Sequence, residues 1–260
     1  RVLLRPLEES VPAAINFLEI APENWLGIGG HLGRRLRALT ECYPFVCHGL
    51  SLNLGGTAPL DLEYLQRLKP FLATHRIRCY SEHLSFCADE GLLYDLMPIP
   101  FTAEAVRHVS NRIRRVQDLL ERRIAIENVS YYCAPGAEMT ELEFLNAVLN
   151  EADCDFLLDI NNIFVNSVNH DYDPCAFLAG VPAPRVAYAH IAGHHREAPD
   201  LIIDTHGADV IDPVWTLLRE AYACCGVFPT LLERDFNLPS MDILLDEMSR
   251  IGTAQQECVG

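Results

Sequence analysis

Short runs of apolar and β-branched residues, three to six long, alternate along this chain with longer stretches whose apolar positions recur every three or four residues. A short apolar run suits a strand buried on both faces, and the three-four repeat suits a helix laying one side on a sheet. Their alternation is the pattern of a parallel sheet wrapped by helices. Strand-like runs fall at 2–4, 16–20, 45–48, 78–83, 124–127, 156–160, 186–191 and 230–233. A set of about eight in a 260-residue chain predicts a closed α/β barrel, a (β/α)8 TIM barrel, in one domain spanning 1–260. An open doubly wound sheet is the alternative.

The intervening segments carry readable helix signals. Val106, Val109, Ile113, Val116 and Leu120 form one apolar face, while Arg107, Arg112, Arg114, Arg115, Arg122 and Arg123 read as a solvated outer face rather than an anion site. Thr140-Glu-Leu-Glu143 is a capping box, and Pro213 and Pro239 precede helical stretches at 214–225 and 241–251. No internal repeat or linker divides the chain.

Composition narrows the function. A formal net charge of −16 argues against holding nucleic acid by its phosphates, which needs clustered Lys and Arg. The single lysine, Lys69, lies in a helix-like stretch at 61–75, so Schiff-base chemistry on a barrel lysine is excluded. Ten cysteines at irregular intervals, with no C-x-x-C pair, read as reduced thiols in a cytoplasmic protein. Cys47 and Cys79 read as barrel packing, and Cys87 as facing the mouth. No apolar run is long enough to span a bilayer, so no membrane partner is expected. The chain begins abruptly on an apparent strand, and a short upstream segment is expected.

The chemistry is concentrated at the ends of the strand-like runs: Glu19, His48, His83, Glu127, Asp159, His190 and Glu233 each end one. A single buried acid or imidazole is most simply a satisfied core residue, but seven in succession are harder to dismiss. The C-terminal strand ends of a barrel converge on one mouth, where these groups would repel unless cations neutralise them. Asp204-Thr-His206 adds an extended D-x-H before Gly207, and Asn162 adds an amide oxygen. Imidazole, carboxylate and amide oxygen without a thiolate suit iron, manganese or zinc. His31, His75 and His108 read as surface or helix-packing residues. Asn24, Asn53 and His194, with His170 and His195, are candidates to line the mouth and touch substrate, and are as readily structural.

The ordered motifs F-V-C-H-G-L-S-L, S-E-H-L-S, I-E-N-V-S, L-L-D-I-N-N-I-F-V-N, H-I-A-G-H, I-D-T-H-G and L-L-E-R-D resemble those of the DUF692 (UPF0276) proteins, the multinuclear non-heme iron-dependent oxidative enzymes, over nearly the whole chain. The resemblance implies a xylose isomerase-like barrel with His48, His83 and Glu127 on one metal. Asp159, His190 and Glu233 would hold a second with Glu127 bridging, and Asn162, Asp204 and His206 a third. The related endonuclease IV barrels carry a histidine where this chain has Asn162, so the third ion should be held more weakly and hydrolysis is disfavoured. The resemblance further implies two or three irons in mixed Fe(II)/Fe(III) valence that use dioxygen to oxidise cysteines of a ribosomally made precursor peptide. A separate small partner protein would present the leader peptide. Asp235 and Arg234 would move protons or orient the peptide, their bland alternative being a surface ion pair. Two other classes remain open: a zinc- or manganese-dependent isomerase or phosphoesterase on the same barrel, and a non-catalytic metal-binding module.

Overall fold

The computed structural model describes residues 3–89 and 91–259. Its strands are β1 (Leu18–Ile20), β2 (Phe45–Gly49), β3 (Tyr80–His83), β4 (Phe86–Ala88), β5 (Leu92–Met97), β6 (Ala125–Glu127), β7 (Asp155–Asp159), β8 (Val186–Ile191), β9 (His195–Ala198), β10 (Leu201–Ile203) and β11 (Thr230–Leu232). Seven of them form one parallel sheet in the order β1-β2-β3-β6-β7-β8-β11, so each neighbour in space is the next barrel strand in sequence. Helices α1 (Leu4–Glu9), α2 (Gly30–Cys42), α3 (Leu62–Thr74), α4 (Ala103–Leu120), α5 (Glu141–Ala152), α6 (Ile160–Asn169), α7 (Pro174–Ala179), α8 (Asp212–Cys225) and α9 (Met241–Val259) complete the α/β barrel.

The expected strand at 2–4 is corrected in part. Val2 lies outside the described residues, Leu3 sits in a turn and Leu4 opens α1. Three apolar residues cannot distinguish a strand from a helix start. Pro6 tips the balance, because its fixed φ suits a first helical turn, where a missing N–H costs nothing. Among the described residues β1 and β11 are the sheet's two edges, and an apolar cavity of about 860 Å³ lies at this seam, walled by Leu7, Phe17, Leu18, Leu231 and Leu244. The ladder at β11 runs on past its last residue, since Glu233 N–H donates to Ile191 O at 2.9 Å. The two antiparallel hairpins, β4–β5 and β9–β10, are additions to the predicted pattern.

Strand pleating explains where the chemistry sits. Side chains alternate between faces, so residues two apart share one. Inside the barrel Val46, Ala125, Leu157 and Tyr188 pack as an apolar layer. Two residues further along the same strands come His48, Glu127, Asp159 and His190, which therefore form the layer above, at the C-terminal end. The intervening residues, Cys47, Ile126, Leu158 and Ala189, face outward and are wholly buried in the larger core under the helices.

The helices follow their sequence signals. Val106, Val109, Ile113, Val116 and Leu120 of α4 are buried as the repeat predicts. Two arginines depart from a merely solvated face: Arg112 of α4 donates to Ala58 O and Asn53 O, and Arg122, just past its end, to Ile77 O and Arg78 O, stapling loops to the helix layer. Thr140 and Glu143 close the capping box on α5 in both directions. Thr140→Ala is expected to cost about 1 kcal/mol of stability without touching the mouth, read by denaturant titration.

Candidate metal centre

Six barrel strands deliver a side chain each to one point. Glu127 Oε2 lies 3.0 Å from His48 Nε2 and 3.2 Å from His83 Nε2. His190 Nδ1 lies 3.0 Å from Glu233 Oε2, 3.4 Å from Glu127 Oε1 and 3.8 Å from Asp159 Oδ2. His206 Nδ1 is 3.3 Å from Glu233 Oε2 and 3.4 Å from Asp235 Oδ2, while its Nε2 is 2.8 Å from Asp204 Oδ1. Three groups therefore have donor atoms close enough to share an ion: His48, His83 and Glu127; Glu127, Asp159, His190 and Glu233; and His206, Glu233 and Asp235. Glu127 belongs to the first two and Glu233 to the last two, so the carboxylates stand where bridging ligands would.

The local structure aims these atoms. Asp159 caps α6, accepting the Asn162 N–H on Oδ1 at 2.6 Å, which leaves Oδ2 for the cavity. Asn162 spends its amide N–H on Asn128 O, which turns Oδ1 inward. His83 Nδ1 is 3.0 Å from the Gly49 carbonyl, an acceptor only, so that nitrogen carries the proton and Nε2 presents a lone pair. His190 Nε2 likewise sits 3.1 Å from Glu19 Oε2, which leaves Nδ1 for the cavity.

Among the described residues, eleven buried side-chain polar atoms lack a hydrogen-bond partner, and six of them are Glu127 Oε2, Asp159 Oδ2, Asn162 Oδ1, His190 Nδ1, His206 Nε2 and Glu233 Oε2. Two of them, His190 Nδ1 and Glu233 Oε2, lie 3.0 Å apart without hydrogen-bond geometry. A buried unpaired polar atom costs about 1–3 kcal/mol, so six on one cavity fit donors that bound cations would satisfy. The donor set of imidazoles, carboxylates and one amide oxygen fits a first-row transition metal.

Protonation follows the same logic. Burial works to lower the His48 pKa, but the Glu127 carboxylate outweighs it and lifts the imidazole to about 9. Burial and the neighbouring His48 hold His83 down to about 4. Burial and Glu127 push Asp159 well up, whereas His190 and His206 overcome burial and hold Glu233 well down. In the metal-free site a proton thus sits between His48 and Glu127 below about pH 9, and an incoming ion must displace it. Apparent Zn(II) affinity is expected to rise with pH from pH 6.5 to at least pH 9, with proton release on binding, as chelator competition would measure. A pH-independent affinity would contradict this arrangement.

His48, His83, Glu127 and Glu233 line the floor of a mouth cavity of about 920 Å³. Its wall includes Asn24, Cys87, Leu93, Tyr132, Phe236 and Leu238. Asp235 is 59% exposed there, beside His206. Arg234 also reaches the wall, yet its side chain is only 4% exposed and pairs with Glu247 of α9 and with Asp209, so its guanidinium anchors the strand end. Asn53 is not among the residues walling this cavity: its buried amide accepts from Cys87 N–H and donates to Ala88 O, pinning β4. His194 packs on Phe164 and contacts Asn161 Oδ1 at 2.7 Å, and Asn161 in turn donates to Asp204, so His194 steadies a wall residue from behind. The sequence reading gives Glu19 as a strand-end acid without a role of its own, and does not single out Glu82. Glu19 ends a strand with the others but faces His190 and Tyr188. Glu82 precedes His83, and strand alternation sends it outward, where burial and the nearby Glu23 carboxylate lift its pKa to about 7.

Comparison with known proteins places this geometry. A family profile described as the RiPP precursor modification enzyme MbnB/TglH/ChrH matches residues 2–256. The chain belongs to this family. It is 57% identical to a UPF0276 protein of Shewanella amazonensis over 259 residues, covering 100% of this chain and 93% of that one. It is also 57% identical to the UPF0276 protein PA3283 of Pseudomonas aeruginosa over 256 residues, covering 98% of this chain and 90% of the relative. Among solved structures, a xylose isomerase-like TIM barrel protein from Mycobacterium smegmatis in complex with magnesium superposes with TM-score 0.64 at 12% identity, covering 99% of this chain and 88% of that one. Endonuclease IV from Thermus thermophilus superposes with TM-score 0.61 at 15% identity, over 99% and 94% of the two chains. These likenesses establish the xylose isomerase-like barrel. Members of the MbnB/TglH/ChrH family modify precursor peptides, as the family description says.

Proposed function

We propose that this chain, as one domain, holds two or three iron ions and uses dioxygen to oxidise cysteine residues of a ribosomally synthesised precursor peptide. The observation that carries the reading is the convergence of six unpartnered buried donor atoms beneath an open cavity, in a member of a peptide-modifying family. His48, His83 and Glu127 would hold one ion, and Glu127, Asp159, His190 and Glu233 a second. Asn162, Asp204 and His206 would hold a third, with Glu233 and Asp235 beside it. Iron there would supply thiolate binding and one-electron exchange with dioxygen, chemistry that no side chain of the protein provides.

The protein's own groups do the rest. Phe236 and Leu238, both exposed, and Tyr132 and Leu93 offer apolar contacts to a peptide entering the cavity. Asn24 supplies a polar contact on the same wall. Asp235, exposed and 3.4 Å from His206, is placed to accept a proton from the substrate as it binds. Arg234 acts at one remove, by fixing the strand end that carries Glu233. Burial pushes the wall thiol Cys87 up to about 11, so it stays protonated and does not compete with a substrate thiolate. The leader peptide would be presented by a separate small protein. No helix among the described residues is long and apolar enough to cross a membrane, and all ten cysteines are free, which fits a reducing cytoplasm.

The test is co-expression with cysteine-bearing peptides encoded beside the gene, with and without the neighbouring small protein, followed by peptide mass measurement. An oxygen-dependent mass change confined to peptides that contain cysteine is the expected result. Unchanged mass with iron-loaded protein under air, partner present, would overturn it.

A further inference from the structure

The two imidazoles that head different metal groups, His48 and His190, are joined beneath the ligand layer by a run of buried hydrogen bonds. His48 Nδ1 lies 2.8 Å from Ser81 Oγ, which lies 2.7 Å from Tyr188 Oη, which donates to Glu19 Oε2 at 2.7 Å. His190 Nε2 lies 3.1 Å from that same oxygen. Ser81 and Tyr188 are completely or almost completely buried, so water does not interrupt the run.

Proton counting fixes its direction. A carboxylate only accepts, so the Tyr188 proton goes to Glu19 and the Tyr188 oxygen must accept from Ser81. The Ser81 hydroxyl has one proton; its contact with Tyr188 is closer than the 3.3 Å to Cys47 O, and only that proton can fill the Ser81–Tyr188 bond. Ser81 Oγ can therefore only accept from His48, whose Nδ1 must carry hydrogen. Its Nε2 is then the nitrogen that becomes a lone pair toward the cavity once an ion displaces the proton shared with Glu127. From the other side Glu19 takes the Nε2 hydrogen of His190 and leaves Nδ1 bare.

We infer that Glu19 is a positioning residue serving two metal positions at once, acting directly on His190 and, through Tyr188 and Ser81, on His48, so that each presents an unprotonated nitrogen to the cavity. This rests on the reading of the strand-end groups as metal ligands. The imidazole of a metal site commonly gives its outer N–H to a carboxylate or carbonyl, and loss of that partner costs about 10–100-fold in metal affinity. Here one carboxylate does so for two ligands of different ions.

Glu19→Ala tests it by removing the one oxygen that Tyr188 and His190 share. Tyr188→Phe cuts only the branch to His48. Zn(II) alone is the probe, with affinities by competition titration and nitrogen shifts of ¹⁵N-histidine-labelled protein reporting each ring. In the wild type His190 should bind through Nδ1 and His48 through Nε2. Glu19→Ala should weaken Zn(II) about 10–100-fold at both positions. Tyr188→Phe should weaken the His48 position alone and leave the His190 ring unchanged. Unaltered affinity and ring shifts in both variants, with wild type binding normally, would overturn this inference while sparing the metal site. Failure of the wild type to bind Zn(II) at all would overturn both.

Discussion

Glu127→Ala is expected to strip metal from two positions with one substitution. Glu127 alone lies within ligand distance of the His48–His83 pair and of the His190–Asp159–Glu233 group, with one oxygen toward each. Removing it leaves two imidazoles with no anionic partner on one side and breaks the bridge on the other. Affinity should fall by more than about 100-fold, beyond what loss of an outer-shell partner costs. The fold should survive, because Glu127 lies above the apolar layer of Val46, Ala125, Leu157 and Tyr188 rather than in it. Glu82→Gln is the control. Glu82 sits one residue before His83 and is as deeply buried, but it points to the opposite face and binds Tyr80 and the Leu52 N–H, so metal content should be retained. Metal analysis and far-ultraviolet circular dichroism on both variants would decide it. Full metal content in Glu127→Ala would break the assignment.

Gly193→Ala is expected to disturb the third group while sparing the first. A Cβ at Gly193 would come 2.1 Å from Ala208 O, 2.5 Å from Ala208 C and 2.6 Å from Asp209 O. All three are backbone atoms, so no side chain can swing aside. The loop that must retreat carries Asp204 and His206. Overpacking of this kind costs about 1–3 kcal/mol, or about 2–4 °C of Tm per kcal/mol in a chain of this size. His48 and His83 lie on β2 and β3, away from this loop, so their ion should remain. A variant that loses one metal per chain with a lowered Tm is the expected result. Unchanged Tm and metal content would show that the loop is not wedged as described.

Much of this site could be read from the chain because barrel geometry is periodic. Of eight short runs, seven carry an acid or imidazole at their end that marks the mouth, and His48, His83, Glu127, Asp159, His190 and Glu233 do converge within ligand distance. The same reasoning misplaces residues whose fate depends on loops. Asn53 sits at φ 50° and spends its amide on β4, a tertiary contact 34 residues away that no local pattern encodes. Arg234 adjoins Glu233 in sequence, but its guanidinium is claimed by Glu247 on the last helix. Glu19 was visible as a strand-end acid, yet only the cross-barrel distances to Tyr188 and His190 separate an orienting carboxylate from a ligand. The first run at 2–4 failed for another reason: three apolar residues before a proline serve a helix start as well as a strand.

The central claim is that this barrel mouth is a multinuclear iron site. Its most direct test is elemental analysis of metal per chain on protein purified anaerobically, without chelator or affinity metal, combined with electron paramagnetic resonance. Two to three irons per chain with a mixed-valence signal is the predicted result. Less than one metal of any kind per chain would contradict the site itself, and stoichiometric zinc or manganese without iron would contradict the oxidative chemistry assigned to it.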